Sequence, residues 1–217
     1  MSESDNLPNA GEIQSAVSSR YAALSCCSTS LSCGGALDRA AVAPGETFVD
    51  LGCGRGQDVI RAAGRVGVSG RAIGVDATDE MLAKARRSVP PFLANATFVK
   101  SDLAALDLPA SFADVVISNC SINHARDKAA VYAEIHRILR PGGRFVVSDV
   151  IAETELPESV RRDPAAWAAC YGGAIPEPEY VAAIRAAGFA GVEILDRTAP
   201  YEKGGVQVRS LTVRGLK

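Results

Sequence analysis

The 217-residue sequence has no apolar run approaching the roughly 20 residues that a membrane-spanning helix needs, so no segment is expected to cross a bilayer. No leader is expected either: residues 1–11 are polar and acidic, with neither a basic start nor an apolar stretch. That argues against a secretory signal and reads as a disordered tail. Aromatics are scarce at 6%, the formal net charge is −2, and no lysine-arginine stripe interleaves with rings, so no nucleic-acid footprint is expected. Six cysteines, at 26, 27, 33, 53, 120 and 170, are too few for a disulfide scaffold. None forms a C-x-x-C pair, which removes zinc ribbons and thioredoxin-type sites. Reduced thiols in the cytoplasm are the expectation, and their positions need a reason.

What is present is ordinary for a soluble enzyme: 47% hydrophobic and 22% charged residues, with no repeat or linker. One domain is expected over 12–217. Short apolar runs alternate with amphipathic segments, the pattern of β-α units around a parallel sheet. Strands are predicted at 47–50, 71–76, 96–100, 113–118 and 144–150. Helices are predicted at 57–66, 78–88 and 127–139, the second with Thr78 as N-cap and Asp79-Glu80 in its first turn. Pro141-Gly142-Gly143 closes the third. Further on, helices are predicted at 157–173 and 177–187, then strands at 192–197 and 206–213 joined in a hairpin around Lys203-Gly204-Gly205.

The turn Asp50-Leu51-Gly52-Cys53-Gly54-Arg55-Gly56 follows the first strand, where an α/β sheet binds its ligand. The spacing is G-x-G-x-G; a dinucleotide fingerprint needs another glycine where Gln57 stands. Asp50 would repel a pyrophosphate and suits an ammonium group instead. Asp76 ends the second strand, where a carboxylate can accept both ribose hydroxyls. Asp102 follows the third, within reach of an adenine amino group. Three carboxylates ending successive strands carry more weight than the glycines do.

VDLGCGRG, GVD, SDL and LRPGG together resemble the class I S-adenosylmethionine (SAM)-dependent methyltransferases over residues 45–150. The resemblance implies a doubly wound α/β fold with a mostly parallel seven-stranded sheet, an antiparallel last strand and a small helical cap around 12–44 and 152–188. It also implies SAM as cofactor, S-adenosylhomocysteine as product and no catalytic metal. The cofactor set it implies is Asp50, Gly52, Gly54, Gly56, Asp76, Ala77, Asp102, Leu103 and Asn119.

The acceptor in such a fold lies above the end of the fourth strand, in Ser118-Asn119-Cys120-Ser121-Ile122-Asn123. Cys120 is therefore placed where the reacting atom belongs. Cys170 falls on the segment expected to form the cap, and Cys33 on an N-terminal segment expected to fold over the cofactor. Three convergent thiolates suit a soft, thiophilic centre such as trivalent arsenic. Its lone pair is the nucleophile, so no general base is required and the protein's task is positioning.

SNCSIN with DKAAVYAEIHRILRPGGRFVVSD, ELPESVRRDPAAWAACYGGAI, SLSCGG and SCC resemble segments of the arsenite methyltransferases, covering about residues 17–190. That resemblance implies arsenic ligation by Cys33, Cys120 and Cys170. It also implies arsenite or its thiol conjugate as substrate, a reductant such as glutathione or thioredoxin, and a role in arsenic detoxification. The sequence runs only a few residues past 209–214, so the added C-terminal domain of longer members is expected to be missing, which bears on substrate closure and on the number of methyl groups added.

Other readings stay open. Cys53 is expected to be a plain buried thiol. Cys26 and Cys27 can relay arsenic, pair with Cys33 or do nothing. His124 is either a rim residue or the general base of an alternative enzyme that methylates an O, N or C atom of a small molecule. His136 is expected at the surface, Trp167 as a packing anchor in the cap, and Tyr21 is placed to close over the cofactor. Sequestration of arsenic without catalysis is a third possibility.

Overall fold

The computed structural model describes residues 7–24 and 35–217. Cys26, Cys27 and Cys33 lie outside the described residues. Five strands, β1 (Thr47–Leu51), β2 (Arg71–Asp76), β3 (Ala96–Lys100), β4 (Ala113–Asn119) and β5 (Leu139–Ala152), are parallel. β6 (Ala190–Arg197), β7 (Tyr201–Lys203) and β8 (Val206–Leu216) complete the sheet. Its order is β3-β2-β1-β4-β5-β8-β6, with β8 antiparallel to both neighbours and β7 paired only with β8. These are the seven expected strands plus the short β7, which forms the expected terminal hairpin.

The central strands are apolar throughout because helices cover both faces. Side chains alternate accordingly. Val49, Val116 and Phe145 face α5 (Lys128–Ile138) and α8 (Glu177–Ala186). Phe48, Val115, Ile117 and Val146 face α2 (Ala36–Arg39) and α3 (Gln57–Val66). Helix α4 (Asp79–Ser88) follows β2 with Thr78 at its N-cap, although no side-chain capping bond forms there. Asp127 does cap α5, accepting from the Ala130 N–H.

Two expectations are corrected. The segment 157–173 is not one helix: it splits into α6 (Glu158–Arg161) and α7 (Pro164–Ala168). Pro164 has no N–H to donate and disfavours a helical residue before it, and Asp163 caps the new start by accepting from Ala165. The disordered tail also ends before residue 11, because helix α1 (Ala10–Leu24) begins inside it. Asn9 Oδ1 accepts from the Glu12 N–H and Glu12 Oε2 from the Asn9 N–H, a reciprocal capping box that fixes this start. No described helix is long and apolar enough to cross a membrane.

Candidate active site

The sheet order reverses between β1 and β4, and ligands of open α/β sheets bind at such a point, beyond the strands' carboxyl ends. A cavity of about 330 Å³ lies there, roofed by Gln14, Val17 and Tyr21 of α1. Asp50, Gly52, Gly54, Asp76, Ala77, Asp102, Leu103 and Asn119 all line it, as do Asp58 and Ser121. Of the expected cofactor residues, Gly56 alone is set back from the cavity. A Cβ there would fall 2.7 Å from the Phe98 ring, so this glycine serves the packing of the turn.

Gly52 has φ +74° and a Cβ on it would lie 1.9 Å from Ser121 Oγ. Glycine is therefore needed at this position for both backbone and space. The Gly54 N–H donates to Asp76 Oδ2 at 2.9 Å, and the Thr78 N–H to Asp76 Oδ1 at 2.8 Å, which pins the turn to the end of β2. Burial raises the Asp76 carboxyl above its ordinary range, opposed by those donors. Asp50 is more extreme. Burial, then the charges of Asp58 and Asp76, push its carboxyl well above the ordinary value. A buried acid crowded by two others gains most from a cationic ligand.

The Asn119 side chain bridges two elements: Oδ1 accepts from the Ala36 N–H at 3.3 Å, and Nδ2 donates to Asp58 Oδ2 at 3.2 Å. The start of α2, three residues past Cys33, is thereby tied next to Cys120. Cys53 behaves as expected, buried in the core beneath the turn.

Cys120 and Cys170, 50 positions apart in sequence, are both buried in one apolar cluster with Val150, Ala152, Leu156, Val206 and Val208. Both occupy left-handed backbone, with φ of +55° and +66°. Cys170 is the residue after the C-cap of α7 in a Schellman turn: its N–H reaches the Trp167 carbonyl and that of Tyr171 reaches the Ala166 carbonyl. Glycine usually takes that position, and a β-carbon there costs roughly 1–2 kcal/mol. Two cysteines with left-handed backbone in one buried cluster point to a use beyond packing.

Tyr21 and His124 separate this thiol cluster from the cavity and belong to both. Each lines the cavity, and Cys170 Sγ lies 3.3 Å from Tyr21 Oη and 3.3 Å from His124 Nε2. His124 Nδ1 is 2.9 Å from the Trp167 carbonyl, which can only accept, so the proton sits on Nδ1 and Nε2 is an acceptor. Burial lowers the His124 pKa to about 4, leaving the ring neutral at physiological pH. It lines the cavity and packs against Cys170. Trp167 anchors the cap as expected, donating from Nε1 to the Arg161 carbonyl at 2.8 Å. His136 is half-exposed, as expected of a surface residue, and stacks edge-on against Phe189. Among the described residues no three His, Cys, Asp or Glu side chains gather as metal ligands.

Sequence reading placed Tyr21 over the cofactor but missed that α1 begins as early as Ala10, although the Asn9/Glu12 spacing marks that start. It also missed Asp58, whose i+1 position in a helix gives no local sign that it faces a ligand.

The methyltransferase domain family matches residues 43–203. An arsenite methyltransferase of Halobacterium salinarum is 42% identical over 173 residues, 79% of this chain and 44% of that protein. One from Aquipseudomonas alcaligenes is 34% identical over 193 residues, 82% of this chain and 56% of that protein. The chain thus spans about half the length of these curated relatives. The crystal structure of an arsenic(III) SAM methyltransferase from Chlamydomonas reinhardtii superposes with a TM-score of 0.74 at 29% identity, covering 97% of this chain and 74% of that one. By family match, sheet order and the cavity at its switch point, the chain belongs to the methyltransferase domain family, in its class I, SAM-dependent form.

Proposed function

We propose that this protein methylates trivalent arsenic, presented as arsenite or its thiol conjugate, with Cys120 and Cys170 as arsenic ligands and Cys33 as the third. The observation that carries the reading is the meeting of two left-handed, buried cysteines in one apolar cluster, behind Tyr21 and His124 of the cavity wall. The likeness to arsenite methyltransferases over 79% of the chain supports it.

In this reading Asp50 takes the cofactor's ammonium group, Asp76 its ribose hydroxyls and Asp102 its adenine. Gly52, Gly54, Ala77, Leu103 and Asn119 shape the remaining wall, and Gly56 holds the turn. When bound, SAM supplies an electrophilic methyl group on a sulfonium centre. The thiolates fix the arsenic and leave its lone pair free to react, so alignment is the protein's main contribution, about 7–11 kcal/mol when complete. The apolar walls from Val150, Val206 and Val208 exclude water around the reacting centre. Thiols kept ready for arsenic need a reducing compartment, the cytoplasm in the simplest case, and a small thiol such as glutathione to deliver the metalloid. The fold acts as one domain, capped by α1 and by the segment from 152 to 188.

Incubation with arsenite, glutathione and SAM, followed by arsenic speciation, tests this. Wild type is expected to give methylarsenicals and S-adenosylhomocysteine. Cys120→Ser and Cys170→Ser are each expected to abolish turnover while SAM affinity stays within twofold. Undiminished turnover in either variant rejects the ligand assignment. Tight arsenic binding without methylation would indicate sequestration, and methylation of phenols or amines alone would indicate an ordinary small-molecule enzyme.

A further inference from the structure

Beyond the thiols themselves, the segment that follows Cys120 reaches over and grips the turn that carries Cys170. Asn123 is fully buried, and its Nδ2 donates to the Val150 carbonyl at 2.5 Å and the Cys170 carbonyl at 3.3 Å. Lys128, only 5% exposed, donates from Nζ to the Gly173 carbonyl at 2.5 Å. The same ammonium stands 5.9 Å from the centre of the Trp167 ring, one helix turn before Cys170. The contact is tight, since a Cβ on Gly173 would fall 2.1 Å from the Asn123 carbonyl oxygen.

Burying an amide and an ammonium is costly, and apolar side chains of like size often serve packing better. Asn123 even leaves its Oδ1 without a partner. What apolar residues could not do is reach the carbonyls. The N–H groups of the turn at 170–172 are spent on Trp167 and Ala166, whereas the carbonyls of Cys170 and Gly173 face the end of β4. Neither Asn123 nor Lys128 lines the cofactor cavity. Both lie within eight residues of Cys120 in sequence, so one short stretch both supplies the first thiol and grips the loop of the second.

We propose that Asn123 and Lys128 are positioning residues that hold the 170–173 turn against the end of β4 and so set the gap between the Cys120 and Cys170 thiols. The use of that gap for arsenic rests on the reading above; the clamp itself can be measured without it.

Lys128→Met and Asn123→Ser in the full chain test the clamp, with Tyr132→Phe as a control. The control loses a buried bond to Tyr180 (3.0 Å) one turn further along α5, in a different core cluster from the two cysteines. Dibromobimane bridges two thiols held close, and peptide mass spectrometry reads the 120–170 bridge. Both variants are expected to lose at least fivefold in bridging yield, while SAM affinity stays within twofold and Tyr132→Phe bridges like wild type. Arsenite titration, followed by the ultraviolet As–S charge-transfer band, should show at least tenfold weaker binding in the same two variants. Wild-type bridging yield in both variants overturns the clamp. So does a loss that merely tracks melting temperature and appears equally in Tyr132→Phe. Should Lys128→Met not fold, Asn123→Ser decides by the same readouts. Normal bridging in wild type without any As–S band would instead defeat the arsenic reading and leave the clamp standing.

Discussion

Replacing Asp50 by asparagine should weaken cofactor binding and strengthen the empty protein at once, a pair of opposite effects that general damage does not produce. Asp50 is 4% exposed, and its carboxyl is pushed well above the usual range by burial and by Asp58 and Asp76. In the folded protein it therefore holds its proton to higher pH than in the unfolded chain. The folded state binds more protons, so stability falls as pH rises from the ordinary carboxylate value, about 3.9, through the raised one. Above that window the empty wild type bears an ionised, unpaired carboxylate that the asparagine variant lacks. Each kcal/mol regained should raise the melting temperature by about 2–4 °C. With SAM the sign reverses. Losing one member of a buried charge pair costs at least about 2 kcal/mol; the low end applies because two other carboxylates remain, so about 2–3 kcal/mol, or 30- to 150-fold in Kd, is expected. Adenosine, which lacks the ammonium group, should bind nearly as before. Binding of the cation also expels the Asp50 proton, so wild-type affinity should climb with pH below the raised pKa, and the variant should keep only the part due to Asp76. Calorimetry in two buffers of different ionisation enthalpy counts that proton. Unchanged SAM affinity together with unchanged proton release would refute the assignment of Asp50 to the ammonium group.

The other expectations are simpler. Gly52→Ala places a Cβ into Ser121 Oγ at a φ of +74°, and should weaken SAM at least tenfold by equilibrium binding; wild-type affinity would mean the turn can shift freely. Cys170→Gly removes the strained β-carbon along with the thiol, so stability should change by no more than about 1 kcal/mol while arsenite binding falls; thermal melts and the As–S band separate the two effects. Arg144 donates to the Ala40 and Ala41 carbonyls and pairs with Glu46, whose carboxyl is held below its ordinary range chiefly by that guanidinium acting against burial. Arg144→Leu strips this mostly buried network and should cost about 2 kcal/mol, lowering the melting temperature by about 4–8 °C with SAM affinity intact.

Much of the cofactor side is written locally. Strand spacing, the G-x-G-x-G turn and an acidic residue closing each of the first three strands lie within some fifty consecutive residues, and a β-α repeat leaves few ways to arrange them. Helices 57–66 and 177–186 and strands 71–76 and 96–100 are where the periodicity puts them, within a residue, because each is bounded by a glycine, proline or charged cap. The break at Pro164 was legible in principle, since proline after a capping aspartate starts a helix, yet the apolar periodicity across 157–173 masked it.

The thiol side is different. Sequence names Cys120 and Cys170 as candidates and says which strand and which cap segment carry them, but no spacing rule brings two residues 50 positions apart into one apolar cluster. Their left-handed backbone, the grip of Asn123 and Lys128 on the second cysteine's turn, and the valines contributed by the terminal hairpin depend on where β5, α7 and β8 pack. Covalent order fixes which chemistry the chain carries; long-range burial and the satisfaction of buried carbonyls decide where that chemistry meets.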